Sequence, residues 1–148
     1  MKRWKETEET YRYLIDINSK DNQGIRYELL DLLFERGQYE DAALFMKENK
    51  NDLSVEWAYC QPLLDFRFKG PMKAVVRALR KAIKYNDYVP EYLLCEKRVP
   101  SREPMSFTIG SEDEAVMYAG RYLNHWRRTP GAVAWLKTVY EEYSDREV

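Results

Sequence analysis

The residue types that most often support catalysis or metal binding are few in this chain and lie far apart. His125 is the single histidine, and Cys60 and Cys95 are the two cysteines. They are too few and too widely spaced for a closed zinc site, so we predict no metal centre. Both cysteines fall among apolar residues of predicted helices, which indicates reduced, buried thiols. His125 stands near a predicted helix end, where packing or the helix dipole explains it better than catalysis.

Two acidic clusters, at residues 6–9 and 112–114, are the remaining candidates for acid–base chemistry. Both fall early in predicted helices, where carboxylates offset the positive end of the helix dipole. The chain has neither a nucleophile elbow nor a phosphate-binding glycine loop, because its six glycines are scattered at predicted helix ends. We therefore predict that the protein is not an enzyme and uses neither a cofactor nor a metal ion.

The overall composition is that of a soluble globular protein. The 148 residues fit one domain, 1–148, and the net charge of −1 provides no general attraction to nucleic acid or to an anionic membrane. The aromatic share of 14% is high, and we expect these rings to pack between helices. The chain has no signal-peptide pattern and no apolar run of about 18 residues. We expect a cytoplasmic protein without a membrane segment.

The spacing of apolar residues predicts helices and no sheet. The clearest sign is the stretch 37–43, where Gly37 can adopt the left-handed backbone that ends one helix and Ala42 lets the next approach closely. Pro62 predicts a kink or a shifted start within its helix, and the polar residues 141–148 predict a frayed end. The predicted helices cover about 3–18, 25–36, 38–49, 54–69, 71–86, 111–126 and 130–140.

These elements predict an all-α protein of about seven helices. Their order favours antiparallel hairpins of the tetratricopeptide type, stacked in a short right-handed superhelix. An irregular loop, about residues 96–110, separates the last two helices from the rest. Its apolar residues Met105, Phe107 and Ile109 leave two alternatives open: they pack against helices of this chain, or they face a partner.

Four segments taken together resemble the tetratricopeptide-like module of the suppressor-of-tumorigenicity-seven family and of uncharacterised bacterial proteins. The resemblance spans about residues 10–137. It implies a helical-repeat interaction module with no established catalytic residues. The long preceding region of the eukaryotic members, with its membrane segments, has no counterpart here, so we expect no membrane association. The segments are Asp21-Asn22-Gln23-Gly24-Ile25-Arg26-Tyr27, Tyr88-Val89-Pro90-Glu91-Tyr92-Leu93-Leu94, Gly110-Ser111-Glu112-Asp113-Glu114-Ala115-Val116 and Trp126-Arg127-Arg128-Thr129-Pro130-Gly131-Ala132.

We predict a non-catalytic adaptor that binds a protein or peptide partner. In standard hairpin packing, the first helix of each hairpin lines the concave face. The helix at 3–18 also carries an apolar shoulder, Tyr13 and Ile17, which predicts self-association or a partner at that end. The residues nominated for the concave face are Tyr27, Asp31, Phe34, Ala58, Gln61 and Asp65.

A basic strip between residues 67 and 84 supports an alternative function. Residues 56–110 carry ten basic and six acidic side chains. The strip is either a solvated helix face or a docking site for an acidic peptide, a nucleic acid or another polyanion. Few aromatic residues interleave with these charges, which argues against nucleic acid. The strip consists of Arg67, Lys73, Arg77, Arg80, Lys81 and Lys84.

Overall fold

The structure is a computed structural model that describes residues 3–17 and 23–147, and every regular element within these residues is an α-helix. The predicted all-α architecture of helical hairpins is confirmed. Eight helices are present in the described residues instead of about seven, because a short apolar segment forms the five-residue helix α6. The helices are α1 (Arg3–Ile17), α2 (Gln23–Glu35), α3 (Tyr39–Glu48), α4 (Val55–Lys69), α5 (Lys73–Tyr85), α6 (Val89–Leu93), α7 (Glu112–Arg128) and α8 (Ala132–Glu147).

The helices form two compact units, Met1–Lys50 and Asn51–Val148. In the first unit, α2 packs against α1 and α3. The last residue of the predicted helix 3–18 lies outside the described residues. In the described residues, no helix combines the length and the apolar character that crossing a membrane requires.

The predicted turn between α2 and α3 is present. Gly37 has a φ of 68°, and the N–H groups of Gly37 and Gln38 donate to the carbonyls of Phe34 and Leu33, at 3.0 and 2.8 Å. This pairing is a Schellman motif, which ends a helix with a residue in the left-handed conformation. Ala42 is fully buried, as close approach of the two helices requires.

Helix α1 has no fully buried residue. Its half-buried residues pack towards α2, where the guanidinium of Arg36 lies 4.5 Å from the ring centroid of Trp4. The apolar shoulder expected on this helix is exposed: Tyr13 retains 63% and Ile17 60% of its accessible surface. The exposed apolar surface that predicted self-association or a partner at this end is therefore present.

In the second unit, α4 and α5 form the next hairpin. Ser54 caps α4 by accepting a hydrogen bond from the N–H of Trp57 at 3.3 Å. The helix begins at Val55 and continues through Pro62 to Lys69, so of the two alternatives at the proline the shifted start is wrong, and the kink stays a prediction. Gly70, with a φ of 75°, ends α4 at the predicted position.

Aromatic side chains fill the core of the second unit. The rings of Tyr118 and Tyr122 stack with centroids 4.8 Å apart, and the indole N–H of Trp126 donates to the hydroxyl of Tyr118 at 3.0 Å. The thiol of Cys60, which is buried as predicted, lies 3.4 Å from the same hydroxyl. These contacts agree with a packing role for the aromatic residues.

The last helix is longer than the sequence suggests. Helix α8 packs on α5, α6 and α7 and continues to Glu147, so the prediction of fraying from residue 141 is wrong for the described residues. Its start also lies later than expected: Gly131, with a φ of 81°, separates Pro130 from the first helical residue, Ala132.

Candidate functional site

The concave-face residues nominated on α2 differ in accessibility. Tyr27 and Asp31 are half-buried, so part of each side chain reaches the surface. Phe34 is only 2% exposed and contacts Tyr39 edge to face, with ring centroids 5.9 Å apart. Its nomination is therefore corrected: Phe34 belongs to the core of the α2–α3 hairpin, because the apolar stripe of α2 is wide enough to include it.

The residues nominated on α4 are all partly accessible. Ala58, Gln61 and Asp65 lie three and four residues apart, which places them on one face of the helix. The amide of Gln61 donates to the carboxylate of Asp65 at 3.2 Å. Pro62 has no N–H, so the carbonyl of Ala58 receives no helical hydrogen bond from it. This face of α4 therefore offers an amide and a carboxylate.

The basic strip is only partly available for binding. Arg67 donates to the hydroxyl of Thr129 at 3.3 Å, and Arg80 pairs with Glu142 at 3.3 Å. The other four side chains are exposed, and none has a hydrogen-bond or ion-pair partner among the described residues. Spaced along α5, they form a row roughly 16 Å long on the side opposite the buried stripe. These four residues are Lys73, Arg77, Lys81 and Lys84.

The apolar residues of the long loop face solvent. Met105 is fully exposed, and Phe107 and Ile109 retain 48% and 72% of their accessible surface. Of the two alternatives for these side chains, packing against helices of this chain is therefore wrong. The partner-facing alternative for this exposed apolar segment, 105–109, stays a prediction.

A buried hydrogen-bond network fixes the end of this loop to the helices. Asn86, which is 1% exposed, donates through its amide to the carbonyl of Ser111 and to the carboxylate of Glu114, both at 2.9 Å. The backbone carbonyl of Asn86 accepts the hydroxyl proton of Tyr59. The same carboxylate of Glu114 accepts the N–H of Gly110 at 3.0 Å.

A capping box is present at the start of α7 in a modified form. Ser111 accepts a hydrogen bond from the N–H of Glu114 at 3.2 Å, as a capping box requires. The carboxylate of Glu114 reaches back to the residue before the cap, Gly110, and not to Ser111 itself. The loop therefore ends in an ordered junction, although its apolar side chains are exposed.

A second polar cluster joins the end of α6 to the start of α7. The carboxylate of Glu112 accepts hydrogen bonds from Tyr92 at 2.7 Å and from Lys97 at 2.9 Å. The ammonium of Lys97 also lies 3.3 Å from Glu91 and 5.7 Å from the ring centroid of Tyr88. These contacts keep Lys97 beside α6 and α7.

The cluster shifts the pKa values of its members. The hydrogen bond from Lys97, with that from Tyr92, lowers the pKa of Glu112, and the bond to Glu112 raises the pKa of Lys97. Burial, together with the hydrogen bond to Glu112, raises the pKa of Tyr92 to about 12. At neutral pH the cluster therefore holds an ionised carboxylate, an ammonium group and a neutral phenol.

Beside this cluster lies a cavity of about 470 Å³ that the sequence did not indicate. Cys95 stands at its edge in the left-handed conformation, with a φ of 61°, and accepts a hydrogen bond from the guanidinium of Arg127 at 2.8 Å. Cys95 is exposed, so the prediction of a buried thiol is wrong for this residue. The nearest signal in the sequence was the presence of basic pairs at 97–98 and 127–128.

His125 has the packing role that the sequence favoured. It is 1% exposed, and its ring centroid lies 5.5 Å from that of Tyr122. Its backbone carbonyl accepts the hydroxyl proton of Thr129 at 2.9 Å, near the end of α7.

Comparison with known families finds a match in the second unit. A sequence model of the family described as "ST7 protein" matches residues 67–146, which are more than half of the chain. Three of the segments that carried the resemblance, 88–94, 110–116 and 126–132, lie inside the match. The segment 21–27 lies outside it.

Several curated proteins are similar over part of the chain. "Protein ST7 homolog" of Caenorhabditis elegans is 34% identical over 71 residues, which are 48% of this chain and 13% of the worm protein. "Suppressor of tumorigenicity 7 protein-like" of Homo sapiens is 35% identical over 66 residues, which are 45% of this chain and 11% of the human protein. The matched segment thus spans a small part of each relative. No solved structure matches the chain.

Proposed function

The chain belongs to the ST7 protein family, and from that premise we propose that it is a non-catalytic, tetratricopeptide-like adaptor that binds a partner protein in the cytoplasm. The observation that carries this proposal is the exposed apolar segment 105–109. Exposed apolar side chains on a surface loop are typical of sites that other proteins cover. The hydrogen bonds of Asn86 and Glu114 fix the end of the loop, at Gly110 and Ser111, directly after this segment.

The accessible face of α4 supports the same function. Gln61 and Asp65 present an amide and a carboxylate four residues apart, beside the small residue Ala58, which suits recognition of an extended or helical segment. The apolar loop residues would supply the anchors, and the polar groups of α4 would set the orientation. In this proposal, binding free energy comes mainly from burial of a few apolar side chains.

The test is capture of a partner by the full chain, followed by mapping with variants. The triple variant Met105→Ser, Phe107→Ser, Ile109→Ser removes the apolar anchors and is expected to release the partner, because most of the buried apolar area is lost. The matched control is Leu53→Ser with Met72→Ser, since both side chains are exposed and apolar but lie elsewhere. Titration of the purified partner by calorimetry gives the affinity of each variant. A partner that binds the triple variant as tightly as the unmodified chain contradicts the proposal.

The row of four exposed cations on α5 favours one second candidate, binding of an acidic or polyanionic partner. Such binding weakens steeply with ionic strength, because it releases counterions from the polyanion. Replacing Lys73, Arg77, Lys81 and Lys84 by Glu is expected to abolish it and to leave binding at the apolar loop segment intact. Binding of a short single-stranded RNA and of heparin, measured across a salt series, tests this.

The control for the basic row changes the same number of charges elsewhere. If the control weakens polyanion binding as much as the row variant does, the attraction is general and the α5 site is excluded. The control replaces four other exposed basic residues by Glu: Lys47, Lys50, Lys137 and Arg146.

A further inference from the structure

The 470 Å³ cavity beside Cys95 has the composition of a binding site for an anion with an apolar body. It lies in the second unit, where the end of α6, the following residues of the loop and the C-terminal half of α7 meet. Its volume is within the range of roughly 300–1,000 Å³ that small-ligand sites occupy. The basic residues Lys97, Arg98 and Arg127 line it, and no carboxylate of the described residues does so.

The three cations differ in how far their charge is already balanced. Lys97 is paired with both Glu91 and Glu112, so these three groups together carry a net charge of −1. Arg127 contacts the thiol of Cys95, and neither it nor Arg98 pairs with a carboxylate in the described part of the chain. Two guanidinium groups therefore stand at one cavity without a carboxylate partner among the described residues, and the net charge of Lys97, Arg98 and Arg127 with Glu91 and Glu112 is +1. Guanidinium groups bind carboxylates and phosphates through paired hydrogen bonds.

The apolar part of the cavity lining distinguishes a carboxylate ligand from a phosphate ligand. Val99 and Leu123 provide apolar surface in the same cavity, together with Tyr92. A phosphate would satisfy the arginines but leave this surface in contact with water. A carboxylate that carries an apolar group one or two bonds away would satisfy both, since apolar burial adds about 25 cal/mol per Å².

The C-terminal residue of a polypeptide has this arrangement of groups. Building on the proposed adaptor function, we propose that the cavity binds the free C-terminal carboxylate of a partner protein whose last side chain is apolar. Arg98 and Arg127 hold the carboxylate, and Val99 and Leu123 contact the side chain. The bound carboxylate takes the guanidinium of Arg127 away from the sulfur of Cys95 and covers the thiol.

The rate at which Cys95 is alkylated reports directly whether the cavity is occupied. Cys95 is the exposed cysteine of the chain, whereas Cys60 is buried, so a neutral alkylating reagent reacts first at Cys95. The experiment measures the rate of alkylation of Cys95 by N-ethylmaleimide in the intact chain, followed by mass spectrometry. The probes are hexapeptides that end in Leu, Val, Ile, Phe or Met, each with a free carboxylate and, separately, with a C-terminal amide.

The expected result is protection by at least one free-carboxylate peptide and not by its amide. At a peptide concentration about ten times the dissociation constant, mass action predicts that alkylation slows roughly tenfold. Arg98→Gln is expected to weaken the protecting peptide about tenfold, which corresponds to the loss of one charge-assisted hydrogen bond. The matched control, Lys84→Gln, removes an equal charge from the exposed row on α5 and is expected to leave protection unchanged.

Three outcomes overturn the inference. Equal protection by the amide peptides shows that the carboxylate is not recognised. Equal protection by hexanoate or by inorganic phosphate, at the same concentration, shows a site for small anions and not for a polypeptide terminus. Absence of protection by every peptide shows that the cavity does not bind such termini. The proposed adaptor function is tested independently of this cavity, because it depends on the apolar loop segment and its variants leave Arg98 intact.

Discussion

At the residue scale, Gly37 and Cys95 occupy the same position in two copies of one motif. Both follow a helix end, both have a positive φ, and both are flanked by the paired hydrogen bonds of a Schellman motif. For Cys95, its own N–H donates to Tyr92 and that of Glu96 donates to Glu91, at 3.1 and 2.9 Å. Glycine adopts this conformation without strain, and a cysteine does not. The motif at Gly37 therefore stabilises its hairpin, whereas the motif at Cys95 carries a strained residue beside the cavity.

Gly37→Ala is expected to lower the free energy of unfolding by about 1 kcal/mol, because a Cβ is unfavourable in the left-handed region. Space is not the cause, since a Cβ at Gly37 would meet its nearest neighbour, the ring of Tyr39, at 3.9 Å. Urea denaturation measures the change. Gly24→Ala is the matched control, because Gly24 has no positive φ and open space around it. If both variants lose the same stability, strain at Gly37 is not the reason.

Cys95→Gly is expected to raise the free energy of unfolding, by up to about 1 kcal/mol, since glycine relieves the same strain. The variant also loses the contact with Arg127, which is exposed and contributes little. Cys95→Ala separates the two effects, because it removes the thiol but keeps a Cβ in the left-handed conformation. Denaturation curves in which alanine stabilises as much as glycine would contradict this explanation.

Glycine and serine residues at helix ends made much of the fold predictable from the sequence, whereas the cavity could not be predicted. Ser54 and Ser111 cap their helices through hydrogen bonds to residues three positions away, so the local sequence contains both partners. The contact between Arg127 and Cys95 joins residues 32 positions apart. No local pattern predicts such a contact, because it depends on how α6 and α7 pack.

At the element scale, the first turn of α4 contains a carboxylate in an unfavourable place. Burial is the largest influence on Glu56 and raises its pKa, whereas its backbone hydrogen bond and Arg121 act in the opposite direction. A raised pKa in the folded state means that stability is fully present below the unfolded value and falls as pH rises through the folded value. Near neutral pH, therefore, the ionised Glu56 reduces the stability of the unit.

Glu56→Gln is expected to raise the melting temperature at pH 7. This advantage is expected to shrink as the pH falls through the raised pKa of Glu56, and to be lost below 4.5, the ordinary pKa of a glutamate side chain. Calorimetry across a pH series measures both effects. The control is Glu40→Gln in the first turn of α3, where the carboxylate is exposed and stabilises the helix dipole. This control is expected to lose stability at pH 7. A destabilised Glu56→Gln would show that the dipole and Arg121 outweigh burial.

Helix faces were predicted less well than helix positions. The hairpin turn at Gly37 and the buried Ala42 followed from local chemistry, but Phe34 was assigned to an accessible face and lies in the core. The assignment assumed standard packing of the hairpin, whereas neighbouring helices decide which flank of a wide apolar stripe is covered. The loop residues Met105 and Phe107 are a second case, since their apolar type left both packing and exposure open and the structure exposes them.

At the scale of the whole molecule, the exposed apolar shoulder of α1 is the surface through which we expect self-association at high concentration. Tyr13 and Ile17 lie four residues apart on one face and are 63% and 60% exposed. Burying two such side chains against a second copy contributes roughly 1.5–3 kcal/mol for each. This gain is modest for a dimer, because association costs at least about 4 kcal/mol in lost freedom of motion. We therefore expect weak, reversible self-association and not an obligate dimer.

Sedimentation velocity over a wide concentration range tests this expectation. The unmodified chain is expected to sediment faster as concentration rises, and Tyr13→Arg with Ile17→Arg is expected to stay monomeric, because two cations on each shoulder repel. The control, Leu44→Arg with Leu53→Arg, adds the same charge at exposed apolar positions away from α1 and is expected to associate like the unmodified chain. If the unmodified chain stays monomeric at every concentration while its circular dichroism shows α1 folded, the shoulder does not join two copies, and a different protein is left as its partner.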